Sequence, residues 1–388
     1  MYSGKSPQGS PLSGLFSSYL DFVRLASALA VVISHCYELK WQVGQMGIDA
    51  VSVFFVLSGL VISTITANRE TAPIEYASAR LARIYSILVP ALIITYILDR
   101  AGMAMNEVAY ADYVDEFKGW IEPGPGIGNY IASMLFLNQI WFVHSIPGTN
   151  APIWSLTLEV WYYLIFGVMF FNRRPWAIVL GAALFVIAGP KLILLAPCWF
   201  MGVGVAHIIR RGIRKWLAWP LAILPLLLFI VANLFGFKNG AFGLSKLVGF
   251  DLVPYLWNSS YFLRVGFTAS LASLHFIGMA AILADRAKGR NSRLISWAAQ
   301  YTYSIYLFHY PIKVFVSAIP QLQQISAKPY IILACAVVVP VFFGLAFEPL
   351  RYPLRRLISR SLNRIPALQS ADQGHIDTKP VVEVQSTG

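Results

Sequence analysis

The sequence has few charged residues and few cysteines, and each shortage excludes a class of protein. Only 12% of its 388 residues are charged, whereas 57% are hydrophobic. So few charges cannot cover the surface of a water-soluble protein of this length, which excludes a soluble enzyme and predicts a membrane protein. The three cysteines, Cys36, Cys198 and Cys335, form no CxxC pair and have no metal-ligand spacing to other residues. We therefore expect neither disulfides nor a bound metal.

Ten apolar runs are long enough, at roughly 20 residues each, to predict membrane-spanning helices. The predicted fold class is therefore an all-α, polytopic bundle of about ten helices. The runs lie near residues 18–37, 47–67, 84–98, 154–171, 175–189, 192–209, 217–235, 263–284, 295–316 and 329–347. The apolar segment 128–142 is shorter and predicts an interfacial or re-entrant helix.

Lysine and arginine residues are unevenly distributed between the two predicted sides. With the N-terminus in the cytoplasm, 20 of them lie in inner segments, 8 in outer segments and two within helices, which accounts for all 30. Positive charge favours the cytoplasmic side, so we expect both termini inside, in a multi-pass protein of the inner (cytoplasmic) membrane. This topology also explains the net charge of +12 without a nucleic-acid partner.

The two ends of the chain are polar, unlike the segment between them. A signal peptide has a charged flank, a short apolar core and a small-residue cleavage site, in that order. Residues 1–16 lack this pattern, so we expect no cleavable signal peptide. We predict a polar N-terminal segment at 1–16 and a membrane domain at 17–350. A cytoplasmic tail at 351–388 is expected to be basic at first and then disordered.

One apolar run carries two ionisable residues on one helical face. The segment LDFVRLASALAVVISH at 20–35 contains Arg24 and, eleven residues later, His35. The helical rise and rotation put these groups roughly 16 Å apart along the axis and on nearly the same face. Ionisable groups in a spanning helix are costly unless they face a protein interior or a wet cavity, so the pair indicates a functional site. Alternatively, each group reaches water at its own membrane surface.

Two further segments predict a ligand site near the inner surface. Arg80 and Arg83 share a helical face, where their guanidinium groups either bind phosphates or serve only as the positive-inside signal. Ser58 and Gly59 fall near the middle of the second predicted span. Such a small pair predicts either close helix packing or a pocket wall that a thin ligand can pass.

Three more ionisable residues are candidates for the outer half of the membrane. Glu159 is expected at a depth similar to that of His35, where a carboxylate would raise the basicity of an imidazole and fix its tautomer. The alternative is a glutamate wetted at the interface. Asp49 is a second carboxylate that could hold His35. His309 in the ninth predicted span is either a pocket residue or a core histidine bonded to a tyrosine.

Six motifs occur in a fixed order along the chain. They are D-x-x-R-x10-H at 21–35, G-x-D-x4-FFVLSG at 47–59, RLARIY at 80–85, WSLTLE at 154–159, YSIYLFHYPI at 303–312 and FEPLRYP at 347–353. This order resembles the membrane acyltransferase family 3 over almost the whole chain. The resemblance implies transfer of an acyl group from cytoplasmic acyl-CoA to a hydroxyl of a cell-envelope or exported glycan. It also implies that Arg24 and His35 are the catalytic pair, and that Arg80 and Arg83 bind the donor.

We therefore expect an integral-membrane O-acyltransferase, with acetyl as the default acyl group. The expected catalytic residues are His35, Arg24 and Glu159, and the expected donor-binding residues are Arg80, Arg83, Ser58 and Gly59. The expected pocket residues are Asp21, Asp49, Trp154, Tyr306 and His309. The expected partners are the lipid bilayer and a glycan acceptor, and a homodimer or glycan-synthesis proteins remain open.

The competing hypothesis is a proton-coupled transporter or flippase of a glycan or small solute. In that case Arg24, His35 and Glu159 would form a proton relay. The sequence shows neither a repeated half nor a pair of interrupted helices in matching positions, which are typical of transporters. Binding of acyl-CoA would discriminate between the two hypotheses.

Overall fold

The structure is a computed structural model. It describes residues 14–36, 41–70, 72–116, 122–124, 126–172, 174–236, 249, 252–284 and 292–364. Most of the predicted N-terminal segment and the part of the tail after residue 364 lie outside these residues.

The described chain is almost entirely helical, as its apolar runs predict. Its α-helices are α1 (Leu15–Cys36), α2 (Trp41–Arg69), α3 (Pro73–Met105), α4 (Glu107–Glu116), α5 (Ile127–Met134), α6 (Ile153–Phe171), α7 (Pro175–Ala188), α8 (Pro190–Arg211), α9 (Lys215–Leu234), α10 (Val253–Leu256), α11 (Phe262–Ala284), α12 (Arg293–Gln300), α13 (Thr302–Ala318), α14 (Lys328–Phe347) and α15 (Arg351–Leu362). Short 3-10 turns lie at Trp257–Tyr261, Pro320–Leu322 and Glu348–Leu350. Strands β1 (Glu122–Gly124) and β2 (Ser145–Pro147) pair in parallel.

The predicted all-α multi-pass fold is confirmed, with a difference in how the spans are built. Eight segments of the described chain are long and apolar enough to cross a membrane, whereas α7 has only 14 residues. The run 295–316, expected as one helix, is divided at Tyr301 into α12 and the 17-residue α13. Next to the break, the Thr302 hydroxyl donates to the carbonyl of Ala299 at 2.7 Å, and such a bond competes with helical hydrogen bonding. The segment 128–142 holds the 8-residue α5, which is too short to span, as predicted.

Helices α2 and α8 cross at glycines. A Cβ atom on Gly59 would lie 2.0 Å from the carbonyl oxygen of Trp199, and one on Gly202 would lie 2.1 Å from that of Val56. Only glycine allows two helix backbones to approach so closely. Gly59 is therefore a packing residue, and it does not line the cavity in which a donor is expected.

The loop before α6 is held by buried polar contacts. Asn150 donates from Nδ2 to the carbonyl of Leu307 at 2.9 Å. That carbonyl lacks its helical donor because Pro311, four residues later, has no backbone N–H. The contact fixes the loop against α13, which carries Tyr306 and His309.

His144 in the same loop connects three segments. Its Nε2 donates to the carbonyl of Tyr255 at 3.0 Å, and its Nδ1 accepts from the ammonium of Lys191 at 3.1 Å. Since a carbonyl can only accept and an ammonium can only donate, these partners require the neutral ring.

Candidate active site

A cavity of about 600 Å³ lies among α1, α2, α3, α6, α13 and α15. Its polar lining includes Arg24, Ser58, Glu70, Arg80, Arg83, Ser155, Glu159, Tyr163, Tyr303, Tyr306, Arg351 and Arg355. Arginines collect where α2, α3 and α15 meet, and we call this the basic end. The cavity extends along α13 as far as Tyr306, whose hydroxyl lies 2.6 Å from Ser155 Oγ. The ring of Phe54 packs edge-on against Tyr306, with 5.9 Å between centroids.

A carboxylate and two hydroxyl groups form one wall of the cavity. The hydroxyls of Ser58 and Tyr163 both donate to Glu159 Oε1, the second at 2.5 Å. The indole of Trp199 donates to Ser58 Oγ at 3.1 Å. A potential base, Glu159, therefore lies beside the hydroxyl of Ser58.

Glu159 lies at the depth of Arg24 rather than that of His35. Gly47 of α2 packs beside Ser34 of α1, so this part of α2 is level with His35. Ser58, which binds Glu159, lies eleven residues further along α2, about 16 Å away. The prediction that Glu159 holds His35 is therefore wrong. Arg24 and Glu159 instead line the same cavity.

The partner of His35 is His309 of α13. His35 Nδ1 lies 2.8 Å from His309 Nε2, and the two rings stack with 5.1 Å between centroids at an interplanar angle of 10°. His309 is fully buried. It lies one helical turn beyond Tyr306, the last cavity residue of α13, and their ring centroids are 6.2 Å apart.

The predicted pocket carboxylates Asp49 and Asp21 have other partners. Asp49 forms a buried ion pair with Arg264 at 3.0 Å and accepts from Thr268 at 2.9 Å. Its carboxylate is therefore not available to hold His35. Asp21 pairs with Arg24 at 3.3 Å and accepts from Ser296 at 2.8 Å. Both aspartates connect helices and lie outside the cavity lining.

Trp154 also lies outside the cavity lining. It packs against Trp257, with 6.0 Å between centroids. Of the five predicted pocket residues, Tyr306 lines the cavity and His309 adjoins it.

The arginines of the cavity differ in whether a carboxylate already binds them. Arg80 is buried, forms an ion pair with Glu70, and its guanidinium lies 4.2 Å from the ring centroid of Tyr76. Arg351 lies 3.4 Å from Glu348. Arg83 and Arg355 are exposed, and neither forms an ion pair within the part of the chain that the structure describes.

Sequence reasoning missed Arg355 and Tyr163. Arg351 and Arg355 are four residues apart, so they share a helical face, but the sequence after residue 350 was assigned to a tail. Tyr163 stands four residues after Glu159 and one turn along the same face. Both spacings were visible in the sequence, whereas the partners Ser58 and Trp199 come from distant segments.

No group of three or more His, Cys, Asp and Glu side chains that could hold a metal ion is present among the described residues.

Comparison with known proteins identifies the family. The family model for the acyltransferase domain matches residues 17–347, and the chain belongs to this family. The predicted resemblance is confirmed, and the protein is a membrane acyltransferase.

The relatives are distant, and they bear names of the same class. An O-acetyl transferase of Shigella phage Sf6 is 25% identical over 76% of this chain and 85% of its own length. The acyltransferase MdmB of Streptomyces mycarofaciens is 29% identical over 50% of this chain and 58% of its own. The peptidoglycan O-acetyltransferase OatA of Listeria monocytogenes is 22% identical over 87% and 56%, respectively. No solved structure matches the chain.

Proposed function

We propose that this protein is an O-acetyltransferase of the inner membrane that transfers an acetyl group from acetyl-CoA to a hydroxyl of an envelope or exported glycan. The observation that carries the proposal is the cavity itself. It begins at arginines that include Arg83 and Arg355, which form no ion pair among the described residues, and it ends next to the ring of His309, one of two stacked histidines. The names of the phage and Listeria relatives support the O-acetyl class.

The basic end is suited to the phosphates of CoA. Arg83 and Arg355 are exposed to the cavity, and forked guanidinium groups bind phosphate oxygens with charge-assisted hydrogen bonds. We expected Arg80 to bind the donor. Because Glu70 already neutralises its charge, we do not assign that role to it. The donor pair that we propose is therefore Arg83 with Arg355 rather than Arg80 with Arg83.

The separation of Arg24 and His35 along α1 matches the length of a donor arm whose phosphates stay on one side of the membrane. Arg24 lines the cavity, and His35 lies roughly 16 Å further along the same helix. An extended pantetheine arm is of this order of length. The thioester would then reach His35 past Tyr306 while the phosphates remain at the basic end, which we assign to the cytoplasmic side from the charge asymmetry.

His35 acts as the general base in this scheme. The acceptor oxygen forms a bond to the acyl carbon, its proton passes to the imidazole of His35, and the carbon–sulfur bond breaks. The sulfur leaves as a thiolate and takes the proton back from His35, so that free CoA departs with the imidazole restored. Transfer is direct, because an acyl group on Ser58 would lie about 16 Å from the level of His35.

Proteoliposomes of known orientation test the proposal. Acetyl-CoA on the side of the basic end should acetylate a glycan confined to the opposite side, and free CoA should appear on the donor side. His35→Ala should lower the rate by at least about 100-fold, since general-base catalysis is typically worth 10²–10⁴-fold. Efficient transfer with both substrates only on the donor side would refute the arrangement, and a His35→Ala rate within tenfold of wild type would refute the base.

A further inference from the structure

From the contacts of two stacked rings we infer that His309 is a positioning residue that fixes the tautomer of His35 and leaves His35 Nε2 as the basic atom. The inference deepens the proposed function, on which its catalytic consequence rests. The tautomer itself is a property of the folded protein and can be measured without turnover.

The proton on His309 is fixed by its backbone surroundings. His309 Nδ1 lies 2.8 Å from the carbonyl oxygen of Tyr306 and 3.1 Å from that of Ile305. A carbonyl oxygen only accepts hydrogen bonds, so Nδ1 must carry the hydrogen. In a neutral imidazole the other nitrogen, Nε2, then has a free lone pair and can only accept.

The neutral form of His309 is the favoured one. The ring is fully buried, and an isolated charge without solvent is costly. A positive charge already lies nearby, since the ammonium of Lys313 is 4.7 Å from the ring centroid of Tyr310. Tyr310 in turn packs edge-on against His35 at 5.0 Å between centroids. A second positive charge in this place would be repelled.

The state of His35 follows from that of His309. His35 Nδ1 lies 2.8 Å from His309 Nε2, and because Nε2 accepts, Nδ1 must donate. His35 therefore carries its hydrogen on Nδ1, and Nε2 holds the lone pair that removes a proton from a substrate. After that transfer both nitrogens of His35 are protonated, and the bond to His309 persists.

The arrangement corresponds to the orienting member of a catalytic triad, with an imidazole in place of a carboxylate. In a serine protease, loss of the correct histidine tautomer alone costs about 10⁴-fold in turnover. Here the orienting ring is itself held on α13, whose Leu307 carbonyl is bound by Asn150. The position of His309 is thus set by two backbone carbonyls and a loop contact rather than by the substrate.

Solid-state NMR of the full chain in bilayers tests the tautomer directly. The protein has six histidines, so labelling with 15N-histidine and a difference spectrum against His35→Gln would assign the His35 signals. We expect a protonated Nδ1 and an unprotonated Nε2 in the wild type, and a loss of this preference in His309→Leu. A wild-type His35 protonated on Nε2 would overturn the inference, whatever the activity of the enzyme.

Kinetics of two variants test the catalytic consequence. His309→Leu should lower kcat by about 100-fold or more and leave KM for acetyl-CoA within about threefold, because the donor site is unchanged. His309→Gln should recover at least about a tenth of the wild-type kcat, since its Oε1 can accept from His35 Nδ1. Equal losses in the two variants, or a loss confined to KM, would overturn the positioning role. A wild type that transfers no acetyl group would instead refute the proposed function, and the NMR result would stand.

Discussion

Arg83→Ala and Arg80→Ala should change different properties of the protein, although the two arginines are only three residues apart. Arg83 is exposed to the cavity, and we propose that it binds a phosphate of the donor. Arg80 is buried, pairs with Glu70 and donates to Thr66 at 3.2 Å. We therefore expect Arg83→Ala to weaken donor binding and Arg80→Ala to destabilise the protein.

The magnitudes follow from these two environments. A hydrogen bond to a charged group contributes about 1.5–3 kcal/mol, and solvent in the cavity favours the lower figure, so Arg83→Ala should raise the Kd for CoA about tenfold. Removing one partner of a buried ion pair costs about 3–5 kcal/mol, because the other charge is left uncompensated. Arg80→Ala should therefore lower the unfolding temperature clearly, whereas Arg83→Ala should leave it nearly unchanged.

Calorimetric titration with CoA and thermal unfolding of detergent-purified protein measure both effects. The matched control is the double variant Arg80→Met with Glu70→Met, which removes both charges and should recover much of the stability that the single Arg80→Ala change loses. Unaltered CoA affinity in Arg83→Ala would contradict the assignment of the donor site. An Arg80→Ala protein that is as stable as the wild type but binds no CoA would restore the prediction that Arg80 and Arg83 bind the donor together.

Three further outcomes are expected. Gly59→Ala should lower the unfolding temperature strongly, because the added Cβ would collide with the backbone of α8. The control Gly204→Ala should not, because nothing lies within 4 Å of a Cβ at that position. Equal effects of the two changes would contradict the packing role of Gly59. Mass spectrometry after incubation with acetyl-CoA alone should find Ser58 unmodified, and an acetylated Ser58 would refute direct transfer. Burial and then Lys191 lower the pKa of His144 to about 4, below its unfolded value of about 6.5. Stability should therefore fall as the pH drops from about 6.5 towards 4, and in His144→Gln thermal unfolding should lose this component; an unchanged slope would exclude it.

The sequence predicts the all-helical fold and one face of the site well, because both depend on local periodicity. Apolar runs locate the helices, and the eleven-residue spacing of Arg24 and His35 fixes their separation on α1 before any packing is known. The six motifs identify the family for the same reason, as each is a short contiguous segment. The break at Tyr301 was missed because 295–316 was interpreted as one apolar run, although Gln300, Thr302 and Ser304 lie around Tyr301.

The partners of the charged residues could not be predicted in the same way. His35 and His309 are 274 residues apart, and Ser58 and Glu159 are 101 apart, so their contacts depend on helix register. Glu159 was assigned to the wrong depth because the depth at which α6 begins is set by the preceding loop and not by hydropathy. Arg80 looked like a ligand residue because its neutralising partner, Glu70, comes from the end of another helix.

The closed end of the cavity has a consequence for the membrane itself. A passage that admits a thin donor arm across most of a bilayer would, if left open, also admit protons and ions down their gradients. The bond between Tyr306 and Ser155 and the edge-on ring of Phe54 put an aromatic barrier between the arginines and the histidines. Under the proposed function, this barrier would limit ion leakage between turnovers, and the entering donor arm would itself fill the opening.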